Sequence, residues 1–282
     1  MKRNLLHRIL VLGIAIVLVA ACGNPGKRDK GITPDGKVAS VEVEVFDPVK
    51  IKDQIVEVIE KSPKAAKLVE MLNEAGASYI FDLTLPLEST EKLMTTTTKS
   101  LGQGMYGFDF KYATVYNRGD VAVQLNNIMN RLFAEVGISS DVNVLDRFGE
   151  RIKKNQSNKD SLDFLATEAI NEFNRQMMAS DHVGVYALTV IGANIEALYV
   201  LSQVALLAKD NTKFLALLSN QQERVKSVSQ LLELMSGDET VKPYYESMRP
   251  VIEFFEANAT IGNEQLKQIA PEIEKVRNSM IR

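Results

Sequence analysis

Residues 183–208 (VGVYALTVIGANIEALYVLSQVALLA) form the densest apolar stretch of the chain, and Glu196 is its only charged residue. A helix of this length could span a membrane. However, Glu196, Asn194 and Gln203 are costly in lipid, and the flanking segments have amphipathic patterns that need an apolar partner. We therefore predict the buried central helix of a water-soluble bundle, in which Gly192 lets neighbouring helices approach closely.

Helical periodicity continues from Pro48 almost to the end of the chain, which predicts an all-α fold. We expect a single multi-helix bundle of about eight to ten helices. Prolines mark several boundaries: Pro48 and Pro63 suit first helical positions, Pro250 should kink or split a helix, and Pro271 should open the last one.

Three further segments have readable helical patterns. Residues 89–101 are expected to form one helix, after which the glycines of residues 102–107 precede another. Residues 214–235 keep an unbroken apolar spacing that should stop at Gly237. Asp181 is the expected cap of the central helix.

The amino terminus has the pattern of a lipoprotein signal peptide. Three basic residues precede the uncharged run 9–19, which is too short to cross a bilayer, and two alanines stand directly before Cys22. Residues 1–21 are therefore predicted to be removed and Cys22 to carry acyl chains, which hold a protein at a membrane when two or more are present. The alternative is an ordinary secretory signal followed by a free thiol.

Residues 22–46 are predicted to form a flexible or extended tether, and residues 47–282 the helical domain. Gly23 and the basic pair that follows at 27–28 match neither an inner-membrane retention signal nor an acidic surface-export signal. The expected location is therefore the cell envelope, lipid-anchored in the outer membrane and facing the periplasm. Val41, Val43 and Val45 alternate with glutamates, which favours extended chain.

Charge excludes some partners. The predicted signal peptide contains three of the 33 basic residues and none of the 36 acidic ones, so the mature chain is net acidic. An acidic surface with interspersed signs argues against a nucleic-acid partner and against a polybasic membrane patch. The predicted partners are the membrane, through the acyl chains, and another envelope protein.

Glu196 is the first candidate site residue. A buried carboxylate must be paired, hydrogen-bonded or neutralised. It could grip a ligand or act as a general acid, or it could form a structural ion pair, which we favour, with one of three arginines: Arg118, Arg147 or Arg175.

Asp109, Tyr112 and Tyr116 share one helical face and form the second candidate site, to which we add Tyr199 on the central helix. Tyrosines can line a pocket because they combine an apolar ring with a hydroxyl group. More often such a face is a core stripe whose hydroxyls reach the rim.

Enzyme chemistry is not indicated. His182 is the only histidine outside the predicted signal peptide, and Cys22 is the only cysteine, so neither a metal-binding nor a nucleophile–base pattern is present. The glycines at 102, 104 and 107 match a dinucleotide motif in spacing but lack a preceding strand. We predict no cofactor, no metal and no catalytic activity.

The chain resembles a family of uncharacterised all-helical lipoproteins from Bacteroidetes-type bacteria. The resemblance is carried, behind the Cys22 motif, by YGFDFKYATVYN at 106–117, Val136-Gly137-Ile138, NKDSL at 158–162 and GANIEALY at 192–199. Asn194 stands where that family often has tryptophan. The resemblance covers roughly residues 70–280 and implies a helical envelope lipoprotein, without implying an activity.

Two functional hypotheses follow. The first is a tethered interaction or scaffold module with a solid interior. The second is a carrier or sensor that binds a small amphiphile between helices near Glu196. A closed core favours the first, and a cavity of about 300 Å³ or more that reaches Glu196 favours the second.

Overall fold

A computed structural model describes Asp47, residues 50–138 and residues 144–282, with backbone alone at 144–146. The predicted signal peptide, Cys22, the tether and the alternating valines at 41–45 lie outside these residues. The described residues belong to one compact unit.

The fold is all-α, as predicted, and the described residues contain no strand. Two short 3₁₀-helices, Phe81–Leu83 and Leu87–Lys92, lie between the second and third of eleven α-helices in this part of the chain. In chain order these are α1 Lys52–Lys61, α2 Ala65–Ala75, α3 Thr96–Val115, α4 Gly119–Glu135, α5 Val144–Lys154, α6 Lys159–Ala179, α7 Val183–Leu207, α8 Thr212–Ser219, α9 Gln222–Leu234, α10 Lys242–Ala257 and α11 Asn263–Ser279.

Helix α7 is the central helix, as its composition predicted. Among the described residues it is the one helix long and apolar enough to cross a membrane, yet most of it is buried inside the bundle. It packs most extensively on α3 and also contacts α11, α8, α1, α9 and α2. The apolar stretch is therefore satisfied by other helices of the same domain.

Helices α3 and α7 touch backbone to backbone through glycines. A Cβ added at Gly104 would lie 1.9 Å from the carbonyl oxygen of Thr189, and one at Gly192 would lie 2.0 Å from that of Leu101. No side chain fits such gaps. The prediction of close approach at Gly192 is confirmed, whereas Gly104 lies inside α3 and not before a helix.

Helix α3 begins later and runs further than predicted. It starts at Thr96, where Thr95 and Thr98 form a reciprocal capping box, and continues unbroken to Val115. The expected helix over 89–101 is therefore wrong, because the threonine side chains cap the backbone there. Burial against α7 offsets the low helix propensity of the glycines.

The predicted helix starts at Pro48, Pro63 and Pro271 are wrong, and Pro250 does not split its helix. Helix α1 begins at Lys52 and α2 at Ala65, each after its predicted proline, while Pro250 and Pro271 lie inside continuous helices. Both internal prolines are solvent-exposed. Each removes one backbone hydrogen bond, but a carbonyl freed on the exposed side of a helix can bind water.

Three helix ends also differ from expectation. Residues 214–235 form two helices, α8 and α9, with a break at Asn220–Gln221, and α9 ends at Leu234, before Gly237. The residue before α7 is His182, and Asp181 instead contacts Lys52. The apolar spacing persists across the break because α8 and α9 both bury their apolar residues in the core.

Candidate functional site

Glu196 forms a bidentate ion pair with Arg277 of α11. The Arg277 Nε and Nη2 atoms donate hydrogen bonds to Glu196 Oε2 and Oε1, both at 2.7 Å. Both side chains are buried. This is the strong geometry of a charge-assisted pair, so the favoured structural role has a partner in the structure.

The three arginines predicted as partners of Glu196 are elsewhere. Arg147 and Arg175 are exposed and pair with Glu172 of α6. Arg118 lies over the Tyr79 ring, 5.1 Å from its centroid. The prediction was wrong because α11, the last helix, packs against the middle of α7 and brings Arg277 to the carboxylate.

Tyr199 joins the same cluster, one turn after Glu196. The Arg277 guanidinium lies 4.1 Å from the centroid of its ring, a cation–π contact. The ring therefore covers the buried ion pair, and Tyr199 is nearly fully buried. The structure thus brings the predicted site residues Glu196 and Tyr199 together, but it places them in a packed interior.

Asp109 lies near this pair and is also fully buried. Its Oδ2 atom accepts a hydrogen bond of 2.7 Å from the Leu85 N–H. Burial, reinforced by the Glu196 carboxylate, raises the pKa of Asp109 well above its usual value. Burial beside a second carboxylate favours the protonated form of Asp109, since two adjacent carboxylates would repel each other in a low dielectric.

The charge state of Glu196 follows from its partner. Burial raises the pKa of the Glu196 carboxyl, and the Arg277 guanidinium acts in the opposite direction. Two hydrogen bonds of 2.7 Å from a guanidinium fit an ionised carboxylate. The Arg277 cation and the Glu196 anion thus compensate each other, which limits the free-energy cost of burying both charges in the core.

The predicted Asp109–Tyr face binds the protein's own chain. The Tyr112 hydroxyl donates to the Ser78 carbonyl at 3.0 Å and accepts from the Ile80 N–H at 3.1 Å, while the Tyr106 hydroxyl donates to the Pro86 carbonyl at 2.8 Å. With Asp109 at Leu85, these α3 side chains satisfy the irregular backbone of residues 78–86. Buried backbone without regular hydrogen bonding needs such partners.

Tyr112 and Tyr116 therefore belong to the core stripe. Their rings stack edge to face with centroids 5.0 Å apart. The expectation that the hydroxyls reach the rim is wrong for Tyr112, whose hydroxyl is bonded to the segment before α3. The Tyr116 hydroxyl is buried, with no hydrogen-bond partner among the described residues.

A cavity of about 170 Å³ lies elsewhere, among α1, α2, α3, α4, α6 and α7. None of the five predicted ligand-binding residues lines it. Its lining includes the aromatic side chains Phe108, Phe133, Phe173 and Tyr186. The core is thus not closed, but the cavity is smaller than the predicted 300 Å³ and does not reach Glu196, so neither condition set for the two hypotheses is met.

The cavity is mostly apolar with a few unused polar atoms. No aspartate or glutamate lines it, and Lys64 is its one charged lining residue. The Ser62 Oγ and Gln103 Oε1 atoms are buried without a hydrogen-bond partner in the described part of the chain, and both residues line the cavity. Such atoms usually indicate a bound water or ligand group.

Arg224 of α9 is buried beside one end of the cavity. Its Nη1 atom donates to the side-chain oxygen of Asn194 and to the Pro63 carbonyl at 3.3 Å, and its Nε donates to Gln221 Oε1 at 2.7 Å. Within residues 50–138 and 147–282, no carboxylate forms a salt bridge with it. Burial lowers the pKa of Arg224 to about 10, so it stays charged at neutral pH.

Sequence analysis missed Arg224, although a signal existed. Arg224 shares helical spacing with Val228 and Leu231, both fully buried. An arginine on an apolar stripe indicates a buried guanidinium. The neighbouring cavity had no such signal, because six helices each contribute only part of its lining.

Lys111 fixes the helices that flank the cavity. Its side chain on α3 is almost fully buried, and its Nζ atom lies 2.6 Å from Asp163 Oδ1 and 2.8 Å from the Thr167 hydroxyl, both on α6. Glu70 of α2 lies 3.7 Å away. Lys111 lies one turn after the cavity residue Gly107. Its contacts therefore hold α2 and α6 against α3 beside the cavity.

In the part of the chain that the structure describes, no group of three or more His, Cys, Asp or Glu side chains could hold a metal ion. Comparison of the chain with protein-family models, with curated proteins and with solved structures finds no match. The geometry of the cavity and of the buried charges is therefore the basis for a functional assignment.

Proposed function

We propose that the protein is a lipid-anchored envelope protein whose helical body binds a small, largely apolar compound in the cavity that α1, α2, α3, α4, α6 and α7 line. This proposal keeps the carrier or sensor hypothesis but moves its site away from Glu196. It also retains the predicted lipidation at Cys22 as the means of attachment.

One observation supports the proposal above all. The cavity has an aromatic wall and two buried, unpartnered oxygen atoms, Ser62 Oγ and Gln103 Oε1. Its volume of about 170 Å³ is comparable to the engineered apolar cavity of about 150 Å³ that binds benzene. A compound with a single ring therefore fits. Because the cavity is partly open, a polar end of the compound can extend out of it.

The test uses a neutral probe, phenylpropanol, with isothermal titration calorimetry of the purified full-length chain. Ala66 lines the cavity, whereas Ala134 is exposed on α4. We expect Ala66→Phe to weaken probe binding at least about tenfold, which is about 1.4 kcal/mol, and Ala134→Phe to leave it unchanged. Absence of binding to the unmodified protein would contradict the proposal.

The interaction or scaffold module remains the second candidate. Phe81 and Met94 are 53% and 77% exposed. Phe81 lies in the segment 78–86 that α3 side chains hold in place, and Met94 directly precedes Thr95, which caps α3. Exposed apolar side chains on a fixed segment could dock an envelope partner. Chemical cross-linking in intact cells tests this, because a Phe81→Ser, Met94→Ser protein should lose its cross-linked products while Phe164→Ser keeps them.

A further inference from the structure

Residues 62–66 form one end of the cavity, and the one charged lining residue, Lys64, lies at this end. Lys64 lines this end, its exposed side chain bonded through Nζ to the Ile59 carbonyl at 3.1 Å. No acidic side chain among the lining residues offsets it. Glu60 interacts with the Lys64 ammonium group from outside the lining, but no carboxylate lines the cavity, so the positive charge of Lys64 favours a negative group there.

The amino terminus of α2 adds to the same end. Ala65 and Ala66, the first two residues of this helix, both line the cavity. The helix has no side-chain cap at its start. Uncapped N–H groups and the positive end of the helix dipole favour an anion.

An unused polar side chain lies beside this helix start. Ser62 is 5% exposed, and its Oγ atom has no partner among the described residues. A serine hydroxyl can donate a hydrogen bond to an anionic oxygen. This buried hydroxyl indicates a ligand group independently of the helix terminus.

Arg224 supplies a further uncompensated charge behind this end. It is 3% exposed and bonds Pro63 and Asn194, both of which line the cavity. Its partners are neutral oxygens, so its charge is not cancelled by a carboxylate salt bridge in the described part of the chain. In a low dielectric such a charge acts over a longer distance than at the surface.

We infer that the cavity takes an amphiphile with an acidic head, a carboxylate on a single-ring or short apolar body. The head lies at Ser62, Lys64 and the start of α2, and the body lies against the aromatic wall. This inference deepens the proposed function and rests on it, because it adds the charge of the ligand to the same site.

The experiment compares three compounds with one body: phenylpropanoate, phenylpropanol and phenylpropylamine, titrated calorimetrically into the purified full-length chain at low salt. We expect phenylpropanoate to bind at least about tenfold tighter than phenylpropanol, with phenylpropylamine weakest. Added salt should reduce the preference for the acid, since exposed charges are screened.

Two single variants locate the head group. Lys64→Gln should weaken phenylpropanoate about three- to tenfold and leave phenylpropanol unchanged. Lys67→Gln is the matched control: it removes an exposed charge one turn further along α2, outside the cavity lining, and should change neither affinity beyond about twofold. Ser62→Ala should likewise weaken only the acid.

The outcomes separate the two proposals. Equal affinities for the acid and the alcohol would overturn the inference and leave the proposed function standing. Failure of all three compounds to bind would overturn both. Equal effects of Lys64→Gln and Lys67→Gln on phenylpropanoate would also overturn the inference, because the preference would then reflect overall charge alone.

Discussion

At the scale of single residues, the buried polar groups around Glu196 and Asp109 bond one another and the protein's own backbone. Glu196 is bonded to Arg277, Tyr199 covers that pair, and Asp109 and Tyr112 bond the segment before α3. Helical spacing predicted that these side chains are buried, but it did not predict which groups they bond. A carboxylate on an apolar face requires a partner, yet the sequence offers many arginines.

The first prediction concerns the Glu196–Arg277 pair. Glu196→Gln leaves the guanidinium buried without its counterion and should lower the free energy of unfolding by about 3–5 kcal/mol. A Glu196→Met, Arg277→Met double variant should recover most of this loss. Urea denaturation measures both.

The control for that pair is Glu172→Gln, which removes the partner of the exposed Arg175 and should cost less than about 1 kcal/mol. A double variant as unstable as the sum of its single changes would contradict the prediction. If Glu196→Gln also abolished phenylpropanol binding in folded protein, Glu196 would act on the ligand as well.

The second prediction concerns pH and Asp109. Burial raises the pKa of Asp109 in the folded state, so the folded protein keeps a proton that the unfolded chain releases near pH 4. Stability from this group is fully present below that pH and decreases as the pH rises towards the folded-state value, by at most about 1.4 kcal/mol per pH unit.

Asp109→Asn should remove this slope, since the amide cannot ionise and its oxygen can still accept from the Leu85 N–H. Urea midpoints of both proteins between about pH 4 and pH 7 provide the measurement. Parallel pH profiles for the two proteins would show that Asp109 is ionised in the folded state.

At the scale of helices, the glycines of α3 decide how closely α3 and α7 pack. Sequence spacing assigned the glycines at 102, 104 and 107 to the entry of a helix, because glycine weakens an isolated helix. In the structure the backbone contact at Gly104 makes glycine necessary inside α3. Local propensity was overridden by a tertiary contact.

The third prediction tests this contact. Gly104→Ala forces a Cβ against the Thr189 carbonyl at 1.9 Å and should destabilise the fold by about 3 kcal/mol or more. Gly107→Ala is the matched control, since its Cβ meets only the Met129 sulfur, at 3.8 Å. It should be neutral or stabilising by up to about 1 kcal/mol, measured by thermal unfolding.

Similar losses for Gly104→Ala and Gly107→Ala would show that helix propensity, and not the α3–α7 contact, governs this segment. Gly107→Ala also adds a methyl group at the edge of the cavity, so it should weaken phenylpropanol binding without loss of stability. The two measurements therefore separate packing of α3 from occupancy of the cavity.

At the scale of the whole molecule, we propose an acylated amino terminus and a helical body that binds a ligand. The fourth prediction is that Cys22→Ser abolishes metabolic labelling with fatty acid and releases the protein into the soluble fraction. Gly23→Asp should keep the label but shift the protein from the outer to the inner membrane. Unlabelled wild-type protein, or unchanged membrane association of Cys22→Ser, would contradict the anchor.

The sequence by itself determined the helical class and the burial of residues 183–208. Both follow from the periodicity and composition of the sequence, which depend only on residues that are close together along the chain. Helix ends followed less directly from the sequence: Asn158 caps α6, its side-chain oxygen accepting a hydrogen bond from the Ser161 N–H at 3.0 Å, whereas the expected cap Asp181 does not cap α7. Capping depends on where the preceding chain is held.

Only the tertiary structure decided which side chains meet. Glu196 and Arg277 are 81 residues apart, and the cavity takes its walls from six helices. No local pattern encodes such contacts, because they depend on how the apolar faces of all the helices pack together. The same packing places the aromatic wall, the buried Ser62 hydroxyl and Arg224 around one cavity, and that arrangement is the physical basis of the proposed ligand.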